Sequence, residues 1–544
     1  MKNRWVYVYI AFVSLLVIAR FFFFISTQNG GVEHDSGWYL GVARNMAQKG
    51  IYASYTNTIA GTDAPGAAPS IHGRFSVQDA HGYTYFPAGV TVGPGFIVPQ
   101  AIVYKLFGVG VWQNRVVAYS AFCLLIPLLF YIVYALGGVA PLLFFQVWIW
   151  AFPQLFLSMS YEAYGEHLAL LYLLSGLMIL LRSFDLPAVV PFSGTKEGKS
   201  KALSLVVGGA LLGLSYLTKN LYLLGVVPIV LAFTYFSYQK TKSNKVFLQR
   251  LFFLCLGIVT PIICYELYRF VFLLSHFGWA GYQAVNRDNY MTMKCCGSGV
   301  LQFMQHPFPL HFMGQKLTLW LHIGIAPFFV YPLLGYGVFQ MKQRFSFVLV
   351  ALWGVFFAFF GWYVLLSSTG FFRHAWPGVV VGMMLISLVF SHKKSVSLVI
   401  AVGLAVLFIL SPFSLSSPLI TRQRVMSIYK LPSPNSLQGP LFVPLFLLND
   451  QLAAAQFMNQ RKNVKGRICY DSTLLVAELP VFVDRVFYPL ARCNGSSDVL
   501  IIGPYQKNLS IMKDDYLQKL MQNKCKKILY ENPSYTLCVL RQRR

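Results

Sequence analysis

The chain has 544 residues, of which 56% are apolar, 16% aromatic and only 11% charged. Soluble domains carry about 25% charged residues and disordered chains are poorer in apolar ones, so both classes are excluded. The few charges are lopsided, 44 Lys and Arg against 18 Asp and Glu, a net of +26. Most of such a chain belongs in lipid, and the basic excess that would otherwise suggest nucleic acid has to be explained there.

A spanning helix needs roughly 20 mostly apolar residues. Eleven such runs are predicted, near 5–25, 116–136, 139–158, 166–182, 202–217, 220–238, 251–274, 317–339, 345–368, 373–391 and 395–413. The first starts basic, as a signal peptide does. No small-x-small site follows its Phe21-Phe22-Phe23-Phe24-Ile25-Ser26 end, so it reads as an uncleaved span. The run 202–238 is divided at Thr218-Lys219-Asn220, because a Lys in mid-span is costly. With the N-terminus inside, fourteen cations fall in short cytoplasmic segments: Lys2 and Arg4, then Arg182 to Lys201, Lys240 to Arg250, Lys342 with Arg344, and Lys393-Lys394. That asymmetry puts the C-terminus outside. The expected fold class is a multispan α-helical membrane protein with a small α/β C-terminal extracytoplasmic domain, the membrane domain over 1–413 and a linker plus outer domain over 414–544.

Three outer segments are too long for turns: 26–115, 275–316 and the tail from 414. In the tail, Arg467–Asp471, Val499–Ile502, Lys527–Tyr530 and Thr536–Leu540 read as strands. Asn449–Asn459 and Asp514–Asn523 read as helices. The tail holds 18 cations against eight acids, so it faces anionic headgroups or an anionic acceptor. Cys295, Cys296, Cys469, Cys493, Cys525 and Cys538 all fall outside, where an oxidising compartment would pair them. No C-x-x-C motif and no internal repeat occurs.

Scarce acids guide the search for chemistry, because a carboxylate at the lipid boundary is costly unless it is used. Asp63 and Asp79 read as loop acids or helix caps. Asp35 opens a helix whose Tyr39, Val42, Ala43 and Met46 share one face, so the helix is expected to lie on the membrane surface, with Asp35 or Ser36 as its cap. Glu162 and Glu166 stand at i and i+4 before span 4, where like charges repel. One of them is then paired with a cation or protonated. Lys219 at an outer turn, Arg373-His374 at the head of span 10, and Arg44 are the candidates, each with interfacial anchoring as the plain alternative. Glu266 and Arg269 are spaced to pair at i and i+3.

These stretches resemble the GT-C glycosyltransferases that use polyprenyl-phosphate sugars, a group that includes the protein O-mannosyltransferases and the lipid A aminoarabinose transferases. Four stretches carry the resemblance in order. They are His34-Asp35 with Tyr39, Ala43-Arg44-Asn45 and Gly50; Tyr85-Phe86-Pro87-Ala88-Gly89 leading to Leu106-Phe107-Gly108; Glu166-His167-Leu168-Ala169; and Gly213-Leu214-Ser215-Tyr216-Leu217-Thr218-Lys219 together with the later Arg373-His374 and Pro377. The resemblance implies a polyprenyl-phosphate-linked sugar donor, a glycan, lipid or protein acceptor, and a site in a bacterial inner membrane with the C-terminal domain periplasmic or extracellular. It implies Asp35 as general base, with Glu166 and Glu162 as supporting carboxylates. Lys219, Arg373, Arg44 and His374 would hold the donor phosphate, and His34, Trp38, Tyr39 and Tyr85 would meet sugar or acceptor. No cofactor is required. A divalent metal stays admissible, although Ser36-Gly37 stand where the family often has a second acid. The rival reading is a carrier or flippase of the same lipid-linked sugar.

Overall fold

The structure is a computed structural model. It describes residues 2–27, 31–32, 34–54, 77–87, 92–151, 156, 163–185, 196–241, 243–292, 346–363, 372–388, 447–460, 466–470, 478–490, 493–504, 507 and 514–541. The expected runs 317–339 and 395–413 lie outside these residues, as do Glu33, Glu162, Cys295 and Cys296.

The chain is mostly helical. In order come α1 (Lys2–Thr27), α2 (His34–Lys49), α3 (Pro94–Phe107), α4 (Val116–Gly137), α5 (Val139–Ala151), α6 (Glu166–Asp185), α7 (Lys196–Thr218), α8 (Leu223–Lys240), α9 (Asn244–Thr292), α10 (Phe347–Gly361) and α11 (Phe372–Ser387). Five segments are long and apolar enough to cross a bilayer: Arg4–Phe22, Gln113–Gly137, Glu166–Phe184, Asn220–Lys240 and Asn244–Tyr290. Ala202–Thr218 and Phe347–Gly361 are shorter apolar helices. On α9, Leu248, Phe252, Leu256, Val259, Ile263, Leu267 and Val271 are all exposed. Their spacing of three and four puts them on one face, and an apolar stripe of that length is tolerable only in lipid or against a partner.

The opposite face of α9 packs on α7. That contact is backbone to backbone. A Cβ added at Gly213 would lie 2.3 Å from the Ile258 carbonyl oxygen, and one at Gly257 would lie 2.3 Å from that of Val206. Small residues at a helix crossing let main chains approach in this way, where lipid offers no hydrophobic drive for association. The helix runs on to Thr292 through a kink at Gly278, whose φ is +66°. The segment expected to be an outer loop from 275 is therefore helical at its start. Phe272 stacks on Tyr85 at 5.6 Å and Phe277 meets the same ring edge-on at 5.0 Å.

The first outer segment contributes a three-stranded antiparallel sheet in the order β1 (Ala53–Ser54), β3 (Thr84–Tyr85), β2 (Val77–Gln78). Asp79 accepts from the backbone N–H groups of His81 and Tyr83 and from the Tyr85 hydroxyl, so it is a turn-forming acid. Burial, aided by Asp79, pushes the Tyr85 phenol upward.

The C-terminal part holds α12 (Leu448–Gln460), β4 (Ile468–Tyr470), β5 (Phe487–Pro489), β6 (Val499–Ile502), α13 (Asp514–Lys524), β7 (Cys525–Glu531) and β8 (Thr536–Leu540). Its five strands run in the order β5-β4-β6-β8-β7, with β5, β4 and β6 parallel and β6, β8 and β7 antiparallel. Disulfides join Cys469 to Cys493 and Cys525 to Cys538.

One sequence expectation is corrected by this packing. The α2 helix does not lie on a surface. Val42, Ala43 and Asn45 are fully buried, Trp38 and Tyr39 nearly so, and even Arg44 is only 7% exposed. The helix is covered by α3 on one side and by the Leu479–Val481 turn of the C-terminal part on another.

Candidate active site

Three chain segments converge at one end of the bundle. Gly165, with φ of +78°, turns the chain into α6 so that Glu166 is its first residue. Only Gly takes that conformation without strain. The Val92-Gly93 strand forms a bridge with Lys219 where α7 ends, and Gly93 N–H donates to the Thr218 carbonyl at 3.0 Å. The Tyr222 hydroxyl donates to the Glu166 carbonyl at 2.8 Å, and Ser215 Oγ donates to that of Ala169 at 2.8 Å. Lys219 therefore has a fixed main chain beneath a fixed acid.

Lys219 Nζ and Glu166 Oε1 form an ion pair. Both side chains are shut off from solvent, at 4% and 0% exposure. The snorkelling alternative for Lys219 is thereby excluded, since its ammonium does not reach an aqueous boundary. A second ion pair lies alongside: Arg373 Nη2 to Asp35 Oδ2 at 2.6 Å. The Arg373 guanidinium also sits 4.7 Å over the Tyr164 ring, a desolvated cation–π contact. The two pairs feel each other electrostatically: Glu166 with Arg373, and Lys219 with Arg373 and Asp35.

Their spacing is set by packing. His167, next to Glu166, packs edge-on to Trp376 at 4.9 Å, which ties the head of α6 to the helix that carries Arg373. Ser36 Oγ accepts from the Ala163 N–H at 3.0 Å, which ties the start of α2 to the segment before α6. Ser36 thereby ties Asp35 to the Glu166 segment.

The site therefore unites Asp35, Glu166, Lys219 and Arg373, with His374 close enough to interact with Arg373, Lys219 and Asp35. The His374 ring packs at 5.7 Å from Trp362. Arg44 is not brought to this group. Its guanidinium donates to the carbonyls of Pro480 and Val481 at 3.0 and 2.9 Å and to Gln48 at 3.1 Å, so its role is to hold the C-terminal part against α2. Tyr85 is turned into the small sheet and α9, while Trp38 and Tyr39 are core residues. His34 opens α2, and Glu162 lies outside the described residues.

Sequence reasoning missed three participants. Tyr164 lay in the quoted stretch before α6 but carried no charge to draw notice. Ser36 read as a local cap. Gln451 gave no signal at all, yet its side-chain amide grips the Val32 backbone at both ends, accepting from Val32 N–H at 2.8 Å and donating to its carbonyl at 2.6 Å.

Asp35 and Glu166 are each matched by a cation, a donor set that suits a phosphate better than a divalent ion. Among the described residues, the one cluster of potential metal ligands is Cys469, Cys493 and Asp498, and its two thiols are joined in a disulfide.

No protein-family model matches the sequence, and no curated protein does. Solved structures do. ArnT from Cupriavidus metallidurans, bound to undecaprenyl phosphate, superposes with a TM-score of 0.56 over 99% of this chain and 98% of its own, at 14% identity. Its apo form gives 0.52 over the same shares, again at 14% identity. The archaeal oligosaccharyltransferase AglB from Archaeoglobus fulgidus, in complex with an inhibitory peptide and a dolichol-phosphate, gives 0.51 over 99% of this chain and 74% of its own, at 13% identity. Following these structures over 99% of its own length, the protein has the GT-C fold.

Proposed function

We propose that the protein is an integral membrane glycosyltransferase that moves a sugar from a polyprenyl-phosphate donor to an envelope acceptor on the outer face of a bacterial inner membrane. Eleven spans, an inside N-terminus and an outer C-terminal domain over 414–544 complete this reading. It draws support from the fold, from two solved relatives holding undecaprenyl phosphate and dolichol-phosphate, and from disulfides that suit an oxidising compartment. The observation that carries it is the Asp35–Arg373 pair set beside the buried Glu166–Lys219 pair.

The chemistry follows from what the donor already contains. Its leaving group is a phosphate, so no acid has to protonate it, and one carboxylate serves where glycoside hydrolysis needs two. Asp35 is that carboxylate. Its side chain is 32% exposed, whereas that of Glu166 is wholly buried, so Asp35 alone of the two can meet an acceptor. An acceptor hydroxyl or amine attacks the anomeric carbon as Asp35 takes its proton. The new bond forms as the bond from carbon to phosphate oxygen breaks, and the electron pair leaves with the polyprenyl phosphate. In-line displacement inverts the anomeric centre.

Arg373 has two roles in this sequence. In the resting protein its guanidinium holds Asp35. An arriving phosphate offers the guanidinium fork a second acceptor, and each hydrogen bond moved there frees an Asp35 oxygen to turn to the acceptor. Lys219, held by Glu166, adds positive field where phosphate charge grows; a single preorganised donor of this kind is worth on the order of a hundredfold in rate. The prenyl tail would enter from the lipid.

Purified protein in lipid nanodiscs, given a labelled polyprenyl-phosphate sugar and envelope lipids, tests the reading. Donor cleavage that stops in Asp35→Asn, with the melting curve unchanged, is the expected result. Movement of intact donor across the bilayer without cleavage would instead make the protein a carrier.

A further inference from the structure

A second concave site lies away from the four charges, between the turn that follows β2 and the edge of the C-terminal sheet. It encloses about 590 Å³, within the range of small-molecule sites. Each of its two walls sets a cation against a tyrosine. On one, Lys49 Nζ donates to the Tyr83 hydroxyl at 2.5 Å and lies 4.7 Å from the ring centroid. On the other, the Arg467 guanidinium lies 5.2 Å over the ring of Tyr488. Arg485 and His81 complete the basic lining.

The walls are built rather than incidental. The Tyr488 hydroxyl crosses to the other wall and donates to the His81 carbonyl at 3.2 Å. Gly82, with φ of +86°, makes room for it: a Cβ there would lie 3.0 Å from that hydroxyl. Arg485 donates to the Gly466 carbonyl at 3.0 Å, and Arg467 N–H donates to Asp498 at 2.8 Å. Two acids are present, and both have structural work. Asp79 forms its turn, and Asp484 pairs with Lys49 at 3.3 Å, closing the cleft between α2 and the C-terminal part.

We infer that this cleft is a second saccharide site that takes an anionic glycan, the acceptor of the proposed transfer. Aromatic rings on opposing walls suit the apolar faces of sugars, and the cations beside them suit carboxylate or phosphate substituents. The acceptor role depends on the reaction proposed above; the binding itself does not. The α2 helix links the two sites, with Asp35 in its first turn and Lys49 at its end. Fourteen residues at 1.5 Å each set the cleft about 21 Å from the base. A glycan that occupies both is extended, with its anionic part in the cleft and its reacting hydroxyl at Asp35.

Equilibrium binding to the full-length protein in nanodiscs tests this, with tetragalacturonate, glucose 6-phosphate, neutral maltotetraose and inorganic phosphate as probes. At least one charged saccharide should bind more tightly than maltotetraose and inorganic phosphate. Arg467→Gln should weaken it about tenfold, the loss of one charge-assisted hydrogen bond, and His81→Gln should weaken it less. Arg373→Ala should leave it intact. Equal binding of neutral and charged sugars, binding of phosphate as tight as that of any saccharide, or loss in Arg373→Ala rather than Arg467→Gln would each overturn the proposal. Failure of transfer with this binding intact would count against the enzyme reading alone.

Discussion

Lys219 and Glu166 share a problem: each is a charge with no water to solvate it, and each is the other's remedy. Removing one member of such a pair costs about 3–5 kcal/mol, because the survivor is stranded, while replacing both with apolar or neutral groups of like volume is often close to neutral. Glu166→Gln should therefore lower the melting temperature sharply, and Glu166→Gln with Lys219→Met should recover most of it. Thermal melts in detergent check this order. Transfer should fail in both, since Lys219 is either misplaced or gone. Arg373→Ala has a different signature. It frees Asp35 from its partner but removes a donor to phosphate, so donor cleavage should fall about a hundredfold with little change in melting. A smaller effect is expected at Glu531, where a hydrogen bond from Lys507 holds the carboxyl below its usual value. A depressed acid adds stability above its unfolded pKa and loses it as pH falls through the folded one. Lys507→Ala should thus flatten the acid limb of the stability curve slightly, the pair being exposed on its Glu531 side.

At the scale of elements, α2 is held along its length by the C-terminal part: Gln451 on Val32 before it, Pro480 and Val481 on Arg44 within it, and Asp484 on Lys49 at its end. Gly31 is needed for the first contact, since a Cβ there would lie 2.3 Å from Gln451 Oε1. Gln451→Ala should leave spans and sheet folded yet reduce turnover, by loosening the segment that seats Asp35. A fall in kcat at an unchanged melting temperature is the expected reading. None of this was legible in the sequence, because Gln451 and Val32 are 419 residues apart and a polar-sided helix looks solvated until its cover is known. What was legible had local causes. Val499–Ile502 and Thr536–Leu540 form strands over the predicted residues, being apolar, β-rich runs bounded by turn residues. The break at Lys219 appears where the run was divided, α7 ending at Thr218 and a new turn starting at Asn220, although the ammonium is matched by buried Glu166 and not by water. Glu266 and Arg269 pair at 2.7 Å as their spacing predicts. The extension of α9 past residue 274 was hidden, since Ser275-His276-Phe277-Gly278 reads as a loop, and the packing of Phe277 on Tyr85 of the segment 77–87 is not legible in the sequence. Asp35, Glu166, Lys219 and Arg373 were each singled out by charge at a costly depth; which acid pairs with which cation came only from the packing.

Over the whole molecule, the two ends of the chain are differently stabilised. The membrane part rests on close helix crossings such as that of α7 with α9. Gly213→Val should wedge these apart and lower both expression and melting temperature, with no repair possible by side-chain rotation because the obstacle is the Ile258 carbonyl. The small outer sheet relies on cross-links. Opening the Cys525–Cys538 loop, with its 13-residue separation, by Cys525→Ser with Cys538→Ser should destabilise that part by about 3 kcal/mol. Limited proteolysis would show it as faster cleavage after residue 447, with the spans intact. The +26 balance also divides: under the proposed topology the cytoplasmic cations fix orientation, while Lys49, Arg467 and Arg485 line the cleft and Arg44 braces α2.

That brace has a consequence for how the protein is made. Asp35 leaves the ribosome early, and Gln451, Pro480 and Asp484 leave it more than 400 residues later. Until that segment has docked, α2 lacks its cover and Asp35, the proposed base, lacks its seat. Under the proposed reaction, a nascent chain or one truncated before residue 447 is therefore idle. A chain stopped before residue 447 should reach the membrane in normal amounts and cleave no donor.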